Sequence, residues 1–249
     1  LSVFVMGPIV TSLPLGDYFA DAGTWKYLSL IVLAPISNVL PGVFDANPLP
    51  YAVNGSLWTL RYEFLAYLLT PLLYAATKKL CGGRKLVFAV VLAVLVLVHF
   101  LSYSGLYPLP KVLDNLFRLF AYYMAGVAVL ELGLDKYCDS QFAVVALLVI
   151  IVFRDQVGIF SSLIMFVCVC TFTLGFSLTS NPRFAPCFKK NDYSYGIYIY
   201  AFPIQQCVVW LGGASLPCAY LSCSVISFGI TLLFAIASWF LVEKPAMDA

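Results

Sequence analysis

The stretch Asn54-Gly-Ser-Leu-Trp-Thr-Leu-Arg-Tyr-Glu-Phe64 decides the fold, because it brings charged residues into a segment that is otherwise apolar. The residues from Leu57 to Ala76 are long enough to cross a membrane as one helix, which takes about 20 apolar residues. An ionised side chain in the hydrocarbon costs roughly 3 kcal/mol. We therefore expect the chain to use Arg61 and Glu63, or to enclose them inside a helix bundle.

The composition is typical of a membrane protein. The chain is 62% hydrophobic and 10% charged, whereas a soluble domain is about 45–50% apolar and about 25% charged. Its apolar runs are continuous and do not alternate strictly, which favours helices over a transmembrane β-barrel. The net charge of +2 is small and spread along the chain. Membrane lipids are therefore expected partners, and nucleic acid is not.

The apolar segments predict an all-α, polytopic transmembrane bundle of about eight to nine helical segments, forming one domain over the whole chain. The segments long enough to span are Leu57–Ala76, Leu86–Tyr103, Leu116–Leu132, Gly158–Leu178, Tyr193–Leu211 and Leu216–Val242. Phe142–Phe153 is short, and Trp25–Leu40 contains a proline, so it either spans or lies at the interface. The chain begins at Leu1 and not at Met, and Leu1–Leu13 is typical of the end of a helix. We therefore expect that N-terminal helices are missing.

Lysine and arginine predict the orientation, because cytoplasmic loops carry the excess of these residues. One set of alternate loops, with the C-terminal tail, holds nine of them, and the loops between hold two. The nine are Lys78, Lys79, Arg84, Lys85, Lys136, Arg183, Lys189, Lys190 and Lys244, and the two are Lys111 and Arg154. The C-terminus is therefore expected inside, and Glu63 in the outer leaflet.

Polar residues recur at three- and four-residue steps along the first spanning segment, which predicts one polar stripe on an apolar helix. The stripe consists of Ser56, Thr59, Glu63, Tyr67 and Thr70. Glu63 then serves either an interhelical hydrogen bond or a functional cavity. Arg61 lies two residues away and points to roughly the opposite side. It either snorkels to the outer surface or contributes to a binding site.

Three more ionisable residues are candidates for function. Asp114 and Arg118 stand four residues apart, a spacing that predicts an i,i+4 ion pair at a helix end. Arg118 is also a candidate for binding an anionic group. His99 is the only histidine, and it serves either as a structural hydrogen-bond donor or as a general base.

The eight cysteines have spacings that match no CxxC or zinc pattern. We therefore expect small buried or lipid-facing thiols and no metal site. A bridge between Cys218 and Cys223 is the one disulfide that the spacing leaves open.

A second distinctive stretch is Asn191-Asp-Tyr-Ser-Tyr-Gly-Ile-Tyr-Ile-Tyr-Ala-Phe-Pro203. Asp192 is placed to cap a helix that begins at Tyr193. Gly196 permits close approach of another helix, and the proline frees a backbone carbonyl and favours a kink. The residues that share one face are Tyr195, Tyr198 and Phe202. This face forms either an interfacial aromatic belt or the wall of a substrate tunnel.

Three stretches together resemble the acyltransferase 3 family, the membrane-bound O-acyltransferases that modify bacterial surface sugars. Ser56–Phe64 resembles the family element SLW(S/T)L-x-x-E-F. Ser194–Pro203 resembles the element SYG-(I/L)-Y-(L/I)-Y-x-F-P, and Val242–Pro245 resembles the closing (I/V)-E-K-P. The stretches occur in the family's order, and the similarity extends from Leu13 to Pro245.

The resemblance implies transfer of an acetyl or other short acyl group to a hydroxyl of a cell-surface glycan or lipid-linked sugar. The co-substrate would be cytoplasmic acetyl-CoA or another acyl-CoA, with no bound cofactor, and the location the inner (plasma) membrane. Glu63 takes the position of the motif glutamate and is the predicted catalytic residue. The predicted substrate-binding residues are Asn54, Ser56, Trp58, Arg61, Arg118, Tyr195 and Tyr198.

Two departures from the family pattern affect these expectations. The family's proposed catalytic histidine follows a basic residue by about ten positions near the end of the first helix. No such pair is present, because Phe88 stands eleven residues before His99. We therefore expect the histidine in the missing N-terminal helices, which would leave this fragment inactive. Many relatives also have histidine where this chain has Ala201.

Two other classes of protein compete with the enzyme. A glycan or lipid transporter would show discontinuous helices and midplane charges in repeated halves. The charges here cluster towards one leaflet, and no inverted repeat is found in the sequence. A structural membrane subunit would need only the packing roles given above.

Overall fold

The computed structural model describes residues 1–32, 39–78, 83–153, 158–178 and 191–248. The described chain is helical, and its β contacts are two isolated bridges, between Thr11 and Val43 and between Val39 and Ala52. The longer helices are α1 (Leu60–Thr77), α2 (Arg84–Tyr103), α3 (Lys111–Leu132), α4 (Ser140–Phe153), α5 (Ser161–Leu178), α6 (Ser194–Trp210) and α7 (Ala219–Ser238). The shorter helical pieces are Ser2–Met6, Gly7–Val10, Leu15–Ala20, Ala22–Lys26, Tyr27–Val32, Gly55–Thr59, Asp135–Tyr137, Gly158–Phe160, Gly213–Ser215, Trp239–Glu243 and Lys244–Asp248. The prediction of an all-α chain is confirmed.

Four described helices are long and apolar enough to cross a membrane. They are Arg84–Tyr103, Lys111–Leu132, Ser161–Leu178 and the continuous helical run Ala219–Asp248. This finding supports an α-helical membrane protein, but not the predicted eight to nine segments. The first predicted span is not among these four helices. Its α-helix begins at Leu60, after the 3₁₀ turn Gly55–Thr59, and still has 18 residues, but Arg61 and Glu63 lower its hydropathy below that of the four. Of the predicted segment Trp25–Leu40, residues 33–38 lie outside the described residues.

The chain divides into two compact units. One, called here the terminal unit, comprises Leu1–Arg61 and Phe184–Ala249. The other, called the central unit, comprises Tyr62–Arg183. The prediction of one transmembrane domain over the whole chain stays a prediction.

The core of the terminal unit is built partly from a loop. The cluster consists of Val3, Val10, Tyr18, Tyr27, Leu40, Val43, Phe44 and Val53. The last four come from the turn-rich segment before the first motif and are completely buried. A buried loop must satisfy its own backbone groups, and here the Gln206 amide donates to Leu49 O at 2.9 Å and to Ala52 O at 2.8 Å. The many Pro, Gly, Asn and Asp residues of this segment are typical of turns, but they do not indicate that the segment is buried.

Helices α6 and α7 pack against each other through Gly196, as the small residue suggested. A Cβ at Gly196 would lie 2.8 Å from Ala235 Cα and 2.9 Å from Ala235 Cβ. Such distances are too short for carbon atoms, so any side chain at this position would push the two helices apart.

Replacing Gly196 by alanine is therefore expected to lower the free energy of unfolding by about 1–3 kcal/mol. The matched control is Gly229→Ala in α7, where a Cβ would meet nothing within 4 Å. That change is expected to raise helix stability by up to about 1 kcal/mol, because alanine is the better helix former. Thermal unfolding of the full chain in detergent measures both. Equal shifts for the two variants would contradict the close helix contact.

In the central unit, α2 packs on α3 and α4 packs on α5. Ala121, Ala125 and Phe166 form a buried cluster between α3 and α5. The polar stripe predicted on α1 reaches α3, because the Thr70 hydroxyl lies 3.2 Å from Tyr123 OH. Glu131, in the last turn of α3, accepts a hydrogen bond from Tyr74 OH of α1 at 2.6 Å. It also forms an ion pair with Arg84 Nε, at the start of α2, at 2.9 Å.

The one disulfide that the spacing left open can be checked, because both of its cysteines are described. Cys218 and Cys223 are both free thiols, so the bridge that the spacing left open is not formed. Within the described ranges, no group of three or more His, Cys, Asp and Glu side chains is arranged to hold a metal ion.

Candidate functional site

The first and second motif stretches meet in the terminal unit through Asn54. Its side chain is buried, and its Nδ2 donates to Ile199 O of α6 at 2.9 Å. Ile199 is the residue four positions before Pro203, which has no N–H to offer that carbonyl. Asn54 therefore satisfies the carbonyl that the interior proline leaves without its helical partner. The same side chain also accepts from Ser56 N at 3.1 Å and so caps the turn Gly55–Thr59.

Tyr198 makes the second link between this turn and α6. Its hydroxyl donates to Ser56 O, and it lies 2.5 Å from Thr59 Oγ1. A phenol has one proton to donate, so the Thr59 hydroxyl is the donor in the second bond. Both ends of the turn are thus held by one tyrosine about 140 residues away in the sequence.

Gly55 allows this close approach. A Cβ at Gly55 would lie 2.8 Å from Phe202 Cε2. The aromatic ring of Phe202 therefore occupies the space that a side chain would need. Since Tyr198 and Phe202 are one turn apart on α6, the predicted shared face of the helix is turned towards the first motif.

The third motif stretch lies against the start of α6. Trp239 Nε1 donates to Asn191 Oδ1 at 3.1 Å, and the Trp239 ring meets Tyr193 edge to face at 6.2 Å. Ser238 donates to Glu243 Oε1 at 2.8 Å. Ser238 also accepts from Tyr200 OH at 3.5 Å and so links the second stretch to Glu243 of the third. Within the terminal unit, contacts therefore join the start of the first stretch to the second, and the second to the third.

The start of α6 differs slightly from the prediction. The helix begins at Ser194, one residue later than expected, and Tyr193 is its capping residue. The Asp192 carboxylate accepts from Ser194 N at 3.0 Å. The hydrogen bonds from the Ser194 side chain and backbone lower the pKa of Asp192, so its charge is retained at neutral pH.

The remaining predicted site residues of the terminal unit are distributed around this contact. Trp58 and Arg61 are half-buried. Tyr195 is 53% exposed, one turn before Tyr198 on α6. Asn54 and Tyr198 are therefore both hydrogen-bonded to the turn Gly55–Thr59. Tyr195 lies one helical turn before Tyr198, on the same side of α6.

Glu63 belongs to the central unit by its position in the chain. It lies in the first turn of α1 and is exposed, as are the following Phe64 and Leu65. Of the two alternatives predicted for Glu63, use by the chain or enclosure in a helix bundle, its exposed side chain favours the first, which stays a prediction. The residue that α1 buries at this level is Tyr62, whose hydroxyl lies 3.4 Å from Val112 O.

The ion pair predicted between Asp114 and Arg118 is also wrong. Arg118 Nη2 donates to Asn115 Oδ1 at 2.8 Å. Asp114 instead faces His99 of α2, with its Oδ1 3.8 Å from His99 Nδ1. The i,i+4 rule applies to an isolated helix surface, and here the facing helix supplies the nearer partner.

One structural link was missed by sequence reasoning. Asn47 and Gln206 are both buried, and Asn47 Nδ2 donates to Gln206 O at 3.0 Å and to Gln206 Oε1 at 3.2 Å. A polar glutamine inside an apolar helix is the signal that could have indicated it, because such a side chain needs partners. The sequence does not tell where those partners lie.

Apolar helices long enough to span a bilayer, with polar side chains that satisfy backbone groups between them, define the chain as an α-helical membrane protein. The chain is similar to a protein of Shigella phage Sf6 described as an O-acetyl transferase. The two are 29% identical over 250 residues, which cover 98% of this chain and 70% of the phage protein. No family model matches the chain, and no solved structure matches it. The similarity shows an acyltransferase, a transferase that acts on groups other than aminoacyl groups.

Proposed function

We propose that the chain is a membrane-embedded O-acyltransferase of the acyltransferase 3 family. It moves an acetyl or other short acyl group from cytoplasmic acyl-CoA to a hydroxyl of a cell-surface or lipid-linked sugar. It lies in the inner membrane and crosses it several times. The observation that carries the proposal is that, in the terminal unit, hydrogen bonds join Ser56 of the first family-like stretch to Tyr198 of the second, and link Tyr200 of the second through Ser238 to Glu243 of the third. The similarity to the phage O-acetyl transferase supports the same reaction.

The proposed reaction needs a base that accepts the hydroxyl proton and cationic side chains that bind the anionic groups of the substrates. The acceptor oxygen attacks the thioester carbonyl, a C–O bond forms and the C–S bond breaks. The hydroxyl proton goes to a base and is returned to the CoA sulfur. We propose that the negative charge of Glu63 orients this base or stabilises its protonated form. Arg61 and Arg118 are proposed to bind anionic groups of the donor or the acceptor.

The turn Gly55–Thr59 is proposed to present the substrate-binding residues. Asn54 and Tyr198 direct polar atoms to the backbone of α6 and of the turn. They therefore set the position of Ser56 and Trp58, the residues proposed to contact substrate. Tyr195, exposed at the edge of the turn contact, is proposed to extend the same surface.

The direct test uses membranes that contain the full-length protein, radiolabelled acetyl-CoA and the glycan fraction of the same cells. Ester-linked label on the glycan is the expected result. The control is the same membranes without the chain. If labelled acetyl-CoA is consumed and no glycan carries label, the proposal that a sugar hydroxyl is the acceptor is contradicted. Glycan flux across proteoliposomes in the absence of acyl-CoA would favour a transporter instead.

Replacing Tyr198 by phenylalanine is expected to lower acetyl transfer by about tenfold, with the chain still folded. The change removes the hydroxyl that holds Ser56 O and Thr59, which loses about 1–2 kcal/mol of positioning. Tyr220→Phe is the matched control, because that tyrosine is 95% exposed. Transfer rates in membranes, normalised to the amount of folded protein, make the measurement. Equal rates for both variants would contradict the role of the turn.

A further inference from the structure

The terminal unit contains a cleft of about 580 Å³ that the proposed reaction does not use. One wall is a single face of α6, because the lining residues between Phe202 and Val209 recur at three- and four-residue steps. The first two turns of α7 form a second wall with Ala219 and Cys223, and Leu49 of the loop before the first motif lies on a third side. The volume lies within the about 300–1,000 Å³ that is typical of small-molecule sites.

The lining of the cleft is mostly apolar and carries no charge. Among the described residues that line it, none is an Asp, Glu, Lys or Arg. The phosphates of a nucleotide therefore find no cation here, and a free sugar would leave most of its hydroxyl groups without a hydrogen-bond partner. A hydrocarbon chain loses no hydrogen bond in such a cleft and packs against its apolar side chains. The lining therefore favours a hydrocarbon chain as the occupant.

The α7 wall of the cleft is continuous with a surface that contacts lipid. Leu221 and Val225, its neighbours on α7, are 67% and 63% exposed. Both belong to the helical run Ala219–Asp248, which is apolar and long enough to cross a membrane. Exposed apolar side chains on a spanning helix contact lipid tails. The chain of a membrane lipid therefore reaches the cleft without leaving the bilayer.

The two glutamines of the α6 wall differ in their hydrogen bonds. Gln206 is buried and bonded to Leu49 O, Ala52 O and Asn47 Nδ2. Gln205 is exposed in the cleft, and its side-chain amide has no hydrogen-bond partner among the described residues. A polar side chain that faces lipid is costly unless another group bonds to it. The occupant should therefore carry a hydrogen-bonding group next to its hydrocarbon chain.

An ester carbonyl between the chain and the headgroup meets this requirement. In a glycerophospholipid the ester stands between the acyl chain and the phosphate, so it accepts from an amide N–H while the phosphate stays outside the uncharged cleft. In a prenyl phosphate the phosphate follows the chain directly and would lie against the uncharged wall, which is costly. The chemistry of the cleft therefore favours the glycerophospholipid.

We propose that this cleft binds one acyl chain of a membrane glycerophospholipid, with Gln205 Nε2 donating to the ester carbonyl. Phe202 belongs both to the cleft and to the contact with Gly55, where its ring occupies the space of a side chain. The bound lipid therefore supports the face of α6 that packs on the turn Gly55–Thr59. The inference goes beyond the proposed function and does not depend on acetyl transfer.

The full chain, freed of lipid in detergent, is titrated with phosphatidylethanolamine that carries a photoreactive diazirine in one acyl chain, and mass spectrometry locates the crosslinks. We expect saturable labelling of residues 202–209 and 219–224, displaced by unlabelled phosphatidylethanolamine. Val209→Trp fills the cleft and is expected to abolish this labelling, whereas the control Val225→Trp, on the exposed side of α7 outside the cleft, leaves it unchanged. Gln205→Leu keeps the volume of the side chain, removes the amide and is expected to weaken binding about fivefold.

Several outcomes would overturn this inference. Labelling that does not saturate, or that is as strong around Val225 as in the cleft, shows only general contact with lipid. Displacement by a prenyl phosphate but not by phosphatidylethanolamine overturns the assignment to a glycerophospholipid, and so does displacement by methyl glucoside alone. Thermal melting shows whether each variant is folded, and Ala219→Leu, a smaller change that fills the same cleft, should reduce labelling if Val209→Trp does not fold. Acetyl transfer is not a readout, so failure of the proposed function leaves this test unaffected.

Discussion

Replacing Glu63 by glutamine is expected to lower acetyl transfer by about 100-fold while leaving the fold intact. The substitution keeps the size of the side chain and removes its charge. General acid–base groups contribute about 10²–10⁴ in rate, and a residue that sets the charge of the base affects the same step. Because Glu63 is exposed in the first turn of α1, the stability change should stay within the about 0.3–1 kcal/mol of a helix-terminus charge.

The measurement is the transfer rate from radiolabelled acetyl-CoA beside the melting temperature of the same preparation. Asp135→Asn is the control, since it removes an exposed carboxylate outside every motif. Undiminished transfer by Glu63→Gln would remove this residue from the mechanism. Loss of folded protein with unchanged activity per folded molecule would favour a purely structural role.

Replacing Asn54 by alanine is expected to lower the free energy of unfolding by about 3 kcal/mol. The variant loses the cap of the turn, worth about 1 kcal/mol. It also leaves the half-buried Ile199 carbonyl without this partner, which costs about 1–3 kcal/mol. Pro203→Ala restores an N–H that can bond to this carbonyl within α6. The double variant is therefore expected to lose about 1–2 kcal/mol less than the sum of the two single variants.

A second proline provides the matched control for this double-mutant cycle. Pro71 lies inside α1, as Pro203 lies inside α6. Asn54→Ala and Pro71→Ala share no contact of this kind, so their effects should add within about 0.5 kcal/mol. Thermal or denaturant unfolding in detergent gives all the required values. Additive effects of Asn54→Ala and Pro203→Ala would contradict the assignment of Asn54 to the proline-freed carbonyl.

The helices of the central unit show what periodicity and composition can predict. The segment Leu86–Tyr103 is continuously apolar, and the structure places a helix over Arg84–Tyr103. The segment Leu116–Leu132 is found within the helix Lys111–Leu132, and the residue that follows, Gly133, caps the helix with a positive φ of 69°. Such helices are local, because the hydrogen bonds of each lie within the segment itself. Hydropathy alone is therefore sufficient to find them.

The start of the first motif shows where this reasoning fails. Ser56, Thr59 and Glu63 are spaced as one helical stripe, yet Ser56 and Thr59 lie in a 3₁₀ turn with a different period. That turn is held by Asn54 and Tyr198, whose partners are distant in sequence. A local pattern cannot contain this information, because the backbone geometry is imposed by another helix.

The sequence by itself determined that the chain is helical and apolar, that Pro203 frees a carbonyl, and which stretches resemble an acyltransferase. Only the tertiary structure decided that Asn54 donates a hydrogen bond to that carbonyl and that His99 faces Asp114. It also decided that the loop before the first motif is buried and that Glu63 is exposed. The physical reason is that burial and side-chain hydrogen bonds depend on which elements meet. Helix formation and hydropathy depend only on neighbours along the chain.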